Sequence, residues 1–375
     1  MCPPAGPTVP ALIRWKEATL MVVVGADVHK KTHTFVAIDE RARKVGTKTV
    51  PATTTGHHEA LRWARREFGD ALEWAIEDCR HLSARLEMDL LAAGQVVVRV
   101  PPKMMAQTRN SARTRGKSDP IDALAVARAA LSEPDLPRAT HDQASRELKL
   151  LTDRRDTLVK QRTATINSLL WRVHELDPEH EIAAGSLDRA KHQQALRAWL
   201  SAQPTSVVVE LALDELDDIC ALTTRITEFE KRLAGLVAHR APALLALPGC
   251  AVLTAAKLVG EIGGIDRFAT DAQLARHAGI APIPVWSGRT EGRVRMTRSG
   301  NRQINCAIHR IAVTQIRLKD SLGRKFYEKK KGEGMSNREA LRCLKRHLIR
   351  TVFTTLKNTT HHVQHADATP IATAA

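Results

Sequence analysis

Aromatic side chains are scarce in this chain: Phe, Trp and Tyr make up 3% of its 375 residues, and Tyr327 is its one tyrosine. Single-strand nucleic-acid binders of the OB or RRM type stack bases on exposed rings, so this composition argues against them. A single tyrosine also leaves little scope for a tyrosine recombinase. Cysteine is thin as well. Cys2, Cys79, Cys220, Cys250, Cys306 and Cys343 are scattered, with no C-x-x-C pair. That pattern reads as reduced and intracellular, without a disulfide framework. Cys306 and His309 have half of a zinc-site spacing and no second half, so structural zinc is not expected. No apolar run approaches the roughly 20 residues needed to span a bilayer, and no membrane partner is expected. Residues 1–20 lack the charged start and apolar segment of a signal peptide and read as an N-terminal extension. No G-x-x-x-x-G-K-[ST] occurs, so ATP use has no support.

Positive charge and apolar residues are plentiful. Lys plus Arg number 57 against 41 Asp plus Glu, a formal net charge of +16. Such an excess favours a polyanionic partner, because neutralising phosphates releases their condensed counterions. The 43% of apolar residues suffices for more than one core.

The first half alternates between strand and helix patterns. Met21–Val28, Thr34–Ile38 and Val45–Val50 read as strands, followed by a helix over Gly56–Phe68. Leu72–Ile76 is strand-like, Leu82–Ala93 helical, Val96–Val100 a strand ended by Pro101 and Pro102, and Ile121–Leu131 a helix. The order β-β-β-α-β-α-β-α predicts an α/β domain over 21–135, with helices covering a mixed sheet. Arg146–Leu176 and Leu211–Val237 are long, charged and helical in period, predicting a helical hairpin or coiled-coil region over 145–240. The stretch between Pro178 and Pro204 carries no assignable pattern. A mainly α domain follows over 244–357, opening with Leu247-Pro248-Gly249, a small-residue helix and Gly260, a helix-hairpin-helix-like element. Residues 358–375 are rich in Thr, Ala and His and read as a disordered tail.

Four acids stand at informative places. Asp27 ends the first strand, Glu77 the fourth, and Asp119 and Asp122 open the last helix three residues apart, on one face. In this topology those ends can converge. Carboxylates gathered at one point repel unless cations neutralise them, and hard oxygen ligands suit Mg²⁺ or Mn²⁺. Two such ions would stabilise the attacking and leaving oxygens of a phosphodiester displacement. Each acid also has a plain explanation: Asp119-Pro120-Ile121-Asp122 is what a capped helix start looks like, Asp27 can close a turn, and Glu77-Asp78 can pair with lysines.

Residues 21–132 resemble the ribonuclease H-like, RuvC-type domain of the DEDD transposases of the insertion-sequence 110 family. The resemblance rests on Gly25-Ala-Asp-Val-His-Lys30, Ile76-Glu77 and Lys117-Ser-Asp-Pro-Ile-Asp-Ala123. It places the family's D, E, D and D on Asp27, Glu77, Asp119 and Asp122. Residues 244–312 resemble the family's C-terminal domain through Leu247-Pro-Gly249, Leu274-Ala-Arg-His-Ala-Gly-Ile-Ala-Pro282, Ser287-Gly288 and Thr297-Arg-Ser-Gly-Asn-Arg302. It implies a bacterial DNA transposase or recombinase, cytoplasmic and nucleoid-associated, that cuts and rejoins DNA. A serine nucleophile, a guide RNA transcribed from the element, and assembly as a homo-oligomer (dimer or tetramer) are implied with it.

Ser287 is the expected nucleophile, by alignment with the family's Ser-Gly; Ser299 competes for the role. Either could be an ordinary turn serine before glycine. Basic residues beside both motifs are expected to grip phosphate. They are Lys103, Arg109, Arg113, Arg115 and Lys117 near the acids, and Arg289, Arg293, Arg295, Arg298 and Arg302, with Asn301, near the serines. Two other functions remain open on the sequence: a junction-resolving nuclease that uses water in the same acidic site, and a nucleic-acid-binding protein without catalysis.

Overall fold

A computed structural model describes residues 21–78, 82–111, 116–133, 136–140, 142–292, 294–296 and 300–367, with 290 and 360–367 as backbone only. The chain divides into two compact units, one ending at Ala139 and the other beginning at Thr140.

The first unit is built on β1 (Val22–Val28), β2 (Thr32–Ile38), β3 (Lys44–Pro51), β4 (Leu72–Glu77) and β5 (Val96–Val100), in the spatial order β3-β2-β1-β4-β5. β1 runs antiparallel to β2 and parallel to β4, which is parallel to β5. This mixed sheet with helices is the RuvC-type, ribonuclease H-like arrangement expected from the sequence. The apolar run of β1 is buried along its whole length, as a strand covered on both faces must be. One face carries Val24, Phe35, Trp74 and Ile76 under α1 (Thr54–Phe68) and α2 (Ala84–Ala92); the other carries Val23, Val36, Ala75 and Val98.

A helix not expected from the sequence, α3 (Pro102–Ser111), follows β5 and precedes α4 (Asp119–Ser132). Pro101-Pro102 ends a strand by removing ladder donors, yet proline at a helix's first turn costs nothing, because that N–H is unsatisfied anyway. α4 buries Ala123, Val126, Ala127 and Ala130. Its small side chains let it approach β1 so closely that a Cβ on Gly25 would sit 2.2 Å from the Ala123 carbonyl oxygen.

In the second unit, α5 (Gln143–Leu176) and α7 (Val207–Arg240) form the expected antiparallel hairpin, zipped by Arg155–Glu230 at 2.6 Å and Arg172–Glu215 at 3.0 Å. The unassigned stretch holds α6 (Ala190–Ser201), which packs Leu196 and Leu200 against Leu216 and Ile219 of α7. Beyond them come α8 (Pro242–Leu245), α9 (Val252–Ile262), α10 (Asp271–His277), a hairpin of β6 (Pro282–Pro284) and β7 (Val294–Met296), α11 (Arg302–Arg317), α12 (Leu322–Gly332) and α13 (Asn337–Asp367). Gly249 lies in the α8–α9 turn at φ +84°, where a Cβ would press to 3.1 Å from the Ile311 carbonyl oxygen of α11. The left-handed backbone, with the close packing against α11, accounts for that glycine. The last helix runs on to Asp367, into the segment expected as a tail; the extension 1–20 and residues 368–375 lie outside the described residues. Among the described residues no helix is long and apolar enough to cross a membrane.

Candidate metal centre and serine hairpin

Parallel pairing of β1 with β4 sets the register of the site. The last matched pair is Ala26 with Ile76, so Asp27 and Glu77 follow one step on, at the same edge of the sheet. In-register neighbours point to the same face. Asp27 is buried, and burial pushes its carboxyl above the usual range; nearby Asp122 and Asp119 push it further, while His29 pulls it back. Glu77 is raised likewise, by burial first and then by Asp27 and Asp122, with Arg109 opposing. Mutual repulsion of this kind arises only among charges that lie close together.

α4 brings the other two acids. Ser118 occupies its cap position and makes no side-chain cap hydrogen bond. Asp119, the first helical residue, is therefore not a cap, and it stays 51% exposed. Its Oδ1 lies 3.4 Å from His29 Nε2, which in turn lies 3.1 Å from Asp27 Oδ2. Asp122, one turn on and nearly buried, is held by Arg109 of α3, whose Nη1 donates to Oδ1 at 2.9 Å. One ligand atom each from Asp27, His29 and Asp119 can be drawn from a set lying within 4.8 Å of one another. Two close carboxylate oxygens plus one imidazole nitrogen, with Asp27 pushed toward protonation by burial, fit a divalent cation.

His29 was not singled out from the sequence, although it stands in the quoted Asp27-Val28-His29 run. The signal was available: residues two apart at a strand end share a face. Of the basic residues expected around this site, Lys103 and Lys117 are exposed, Arg109 is turned inward onto Asp122, and Arg113 and Arg115 lie outside the described residues.

Ser287 belongs to the second unit. It sits between β6 and a 3-10 turn at Gly288–Thr290, exposed, with Gly288 at φ +45° giving a turn that a larger residue would strain. Trp286, half exposed, stands beside it, and Arg289 and Arg295 are exposed on the same hairpin. Arg293, Arg298 and Ser299 lie outside the described residues. Arg302 is exposed at the start of α11. Asn301 is spent on the fold: its Oδ1 accepts from the backbone N–H groups of Gln303 and Ile304, and its Nδ2 donates to Glu261 at 2.7 Å. Glu261, buried in α9, also accepts from Lys149 of α5 at 2.8 Å.

Residues 24–175 match the transposase model for the DEDD domain of IS110, and residues 241–328 match that of the transposase IS116/IS110/IS902 family. The uncharacterized 42 kDa protein of insertion element IS900 from Mycobacterium paratuberculosis is 26% identical, over 94% of this chain and 99% of its own length. The 44.8 kDa protein of IS116 from Streptomyces clavuligerus is 24% identical, over 89% and 94%. The 43.6 kDa protein of IS110 from Streptomyces coelicolor is 24% identical, over 91% and 95%. Among solved structures, T. thermophilus RuvC in complex with a Holliday junction substrate is 15% identical, covering 30% of this chain and 94% of its own, at a TM-score of 0.24. Sheet, acids and matches define a transposase with a DEDD nuclease domain, an enzyme of DNA cleavage and joining. The chain belongs to the IS110 family.

Proposed function

We propose that this transposase cuts and rejoins DNA through a serine-linked intermediate. Asp27, Glu77, Asp119 and Asp122 hold divalent metal, Mg²⁺ or Mn²⁺, and Ser287 is the nucleophile. The convergence of acids from β1, β4 and α4 carries the reading, since it costs folding energy that a cation would return. Bound metal supplies charge stabilisation at the phosphate. Ser287 Oγ bonds to phosphorus as its proton passes to water, and the phosphorus–oxygen bond to the deoxyribose breaks, the departing oxygen taking a proton from water. A second strand's hydroxyl then attacks the same phosphorus, losing its proton to water, and the serine oxygen leaves and is reprotonated. Bond energy is conserved in the adduct, consistent with the lack of an ATP-binding motif.

Lys103, Lys117, Arg289, Arg295 and Arg302 are exposed on the two units and suit phosphate contacts; Arg113, Arg115, Arg293 and Arg298 are proposed for the same role from sequence. Asn301 keeps its proposed place by holding α11, and so the adjoining arginine, in position. Assembly as a homo-oligomer on DNA is proposed from the family resemblance. The net charge of +16 accommodates a guide RNA transcribed from the element as well as DNA.

The test incubates full-length protein with element-end DNA, its flanking transcript and Mg²⁺, and looks for a covalent protein–DNA adduct. Wild type, Ser287→Ala, Ser299→Ala and Asp119→Ala run side by side. An adduct lost in Ser287→Ala and Asp119→Ala but kept in Ser299→Ala is the expected result. Metal-dependent cleavage without an adduct, unaffected by Ser287→Ala, would replace the serine mechanism with attack by water.

A further inference from the structure

Beside the carboxylates of the candidate metal centre stands an imidazole nitrogen, and its placement is specific. His29 leaves the end of β1 two residues after Asp27, on the same face, and its backbone N–H donates to the Thr32 carbonyl at 3.0 Å, which fixes the turn that carries it. Its Nε2 faces Asp27 Oδ2 at 3.1 Å and Asp119 Oδ1 at 3.4 Å. A ring nitrogen with one hydrogen can make one good hydrogen bond. A histidine that merely braced Asp27 would have no need to bring the same atom to a second carboxylate on a different element. Two oxygens and one nitrogen converging from a strand and a helix are instead disposed like neighbouring ligands of one ion. A six-coordinate ion with bonds of about 2.1 Å places adjacent ligand atoms about 3 Å apart.

We propose that His29 is a ligand of the divalent ion through Nε2, and that this nitrogen makes the centre take Mn²⁺ in preference to Mg²⁺. The inference deepens the metal-dependent reading above and rests on it. Mg²⁺ is a hard ion that favours oxygen and water and dehydrates reluctantly, whereas imidazole nitrogen is a normal donor to first-row transition ions, of which Mn²⁺ is the one that also suits carboxylate and water. Mn²⁺ accepts both donor types. Removing the ring therefore removes the preference without removing the acids.

The experiment uses full-length protein and Mn²⁺ alone, with no DNA. Electron spin-echo modulation of the bound Mn²⁺ reports a directly coordinated nitrogen, and calorimetry gives the Mn²⁺ and Mg²⁺ affinities of wild type, His29→Gln and His29→Asp. Wild type is expected to show nitrogen modulation that disappears in His29→Gln. The ratio of Mn²⁺ to Mg²⁺ affinity is expected to fall about tenfold in both variants, while His29→Asp keeps its grip on Mg²⁺. Because His29 is half exposed, neither variant should disturb folding. Mn²⁺ bound in wild type without nitrogen modulation overturns the proposal and leaves the acidic metal site standing. Mn²⁺ binding that is absent, or indifferent to Asp27→Asn, overturns both.

Discussion

Arg109 on α3 donates to Asp122 on α4 at 2.9 Å, so a cation from the chain already occupies one oxygen of a candidate metal ligand. The pair is partly shielded, with Asp122 nearly buried and Arg109 under one third exposed. A guanidinium and a metal ion compete for the same carboxylate, and a DNA phosphate competes with that carboxylate for the guanidinium. If the pair contributes about 1 kcal/mol, as partly exposed ion pairs do, Arg109→Gln tightens Mn²⁺ binding by about fivefold in the absence of DNA. Calorimetry on the two proteins checks this. Unchanged affinity would mean that metal and arginine share Asp122 through different oxygens.

The raised carboxyls of Asp27 and Glu77 have a consequence for stability. Because they bind protons more tightly in the folded than in the unfolded chain, metal-free stability falls as pH climbs above their ordinary values of 3.8 and 4.5. The strain is present at neutral pH and relieved by acid, by neutralising substitution or by metal. Metal-free Asp27→Asn should therefore melt at or above the wild-type temperature. Wild type should gain about 2.7 kcal/mol at a metal concentration one hundred times Kd, and Asp27→Asn much less. Thermal melts with and without Mn²⁺ decide it. A large loss of stability in metal-free Asp27→Asn would show that the carboxylate helps hold the fold.

The sheet and the acids were legible because each depends on local pattern. β-branched runs bounded by turns mark β1, β4 and β5, and an acid at each of two strand ends needs only the strand order to be brought together. α3 was hidden by Pro101-Pro102, where a strand stop and a helix start share one residue type. α6 was hidden by its length: Leu196 and Leu200 form too short a stripe to stand out between prolines. The inward turn of Arg109 depends on α3 lying against α4, a tertiary relation that no spacing encodes, and a basic run reads as solvent-facing by default. For Asn301 the composition around it suggested phosphate, whereas the cap it forms follows from one position, immediately before α11.

A pH sensitivity of the opposite sign belongs to the other face of the sheet. His33 of β2 is buried, with its ring stacked on His57 of α1 at 5.1 Å and turned edge-on to Phe35. His57 is in turn bonded to Asp89 through Nδ1 at 2.6 Å. Burial, aided by His57, pushes the pKa of His33 down from 6.5 to about 4. The unfolded chain then binds a proton that the folded chain refuses, so stability is full above pH 6.5 and drains away as pH falls toward 4. The loss attributable to His33 over that window is on the order of 3 kcal/mol. His33→Leu should flatten the dependence of melting temperature on pH between 7 and 4.5. An identical slope in both proteins would assign the acid sensitivity to other groups.

Gly25 joins the sheet to the acids on α4, and its substitution separates fold from site. It lies in the middle of β1, where no turn requires glycine. A Cβ there would meet the Ala123 carbonyl oxygen at 2.2 Å and the Ala127 backbone nitrogen at 2.5 Å. These are helix backbone atoms, which cannot swing aside as a side chain can, so Gly25→Ala must push α4 away from β1. Overpacking of this kind costs about 1–3 kcal/mol. The nearest contact, at Ala123, is adjacent in sequence to Asp122 and about one turn from Asp119, while Asp27 and Glu77 stay with the sheet. Gly25→Ala should therefore lose metal affinity beyond what its lowered melting point explains, as Mn²⁺ titration at a temperature where it remains folded would show. Ala127→Gly in the same chain removes one of the three nearest obstructing atoms, the Ala127 Cβ at 2.7 Å, and should recover little, because the backbone contacts remain. Full recovery by Ala127→Gly would instead place the conflict between side chains and leave the helix backbone where it is.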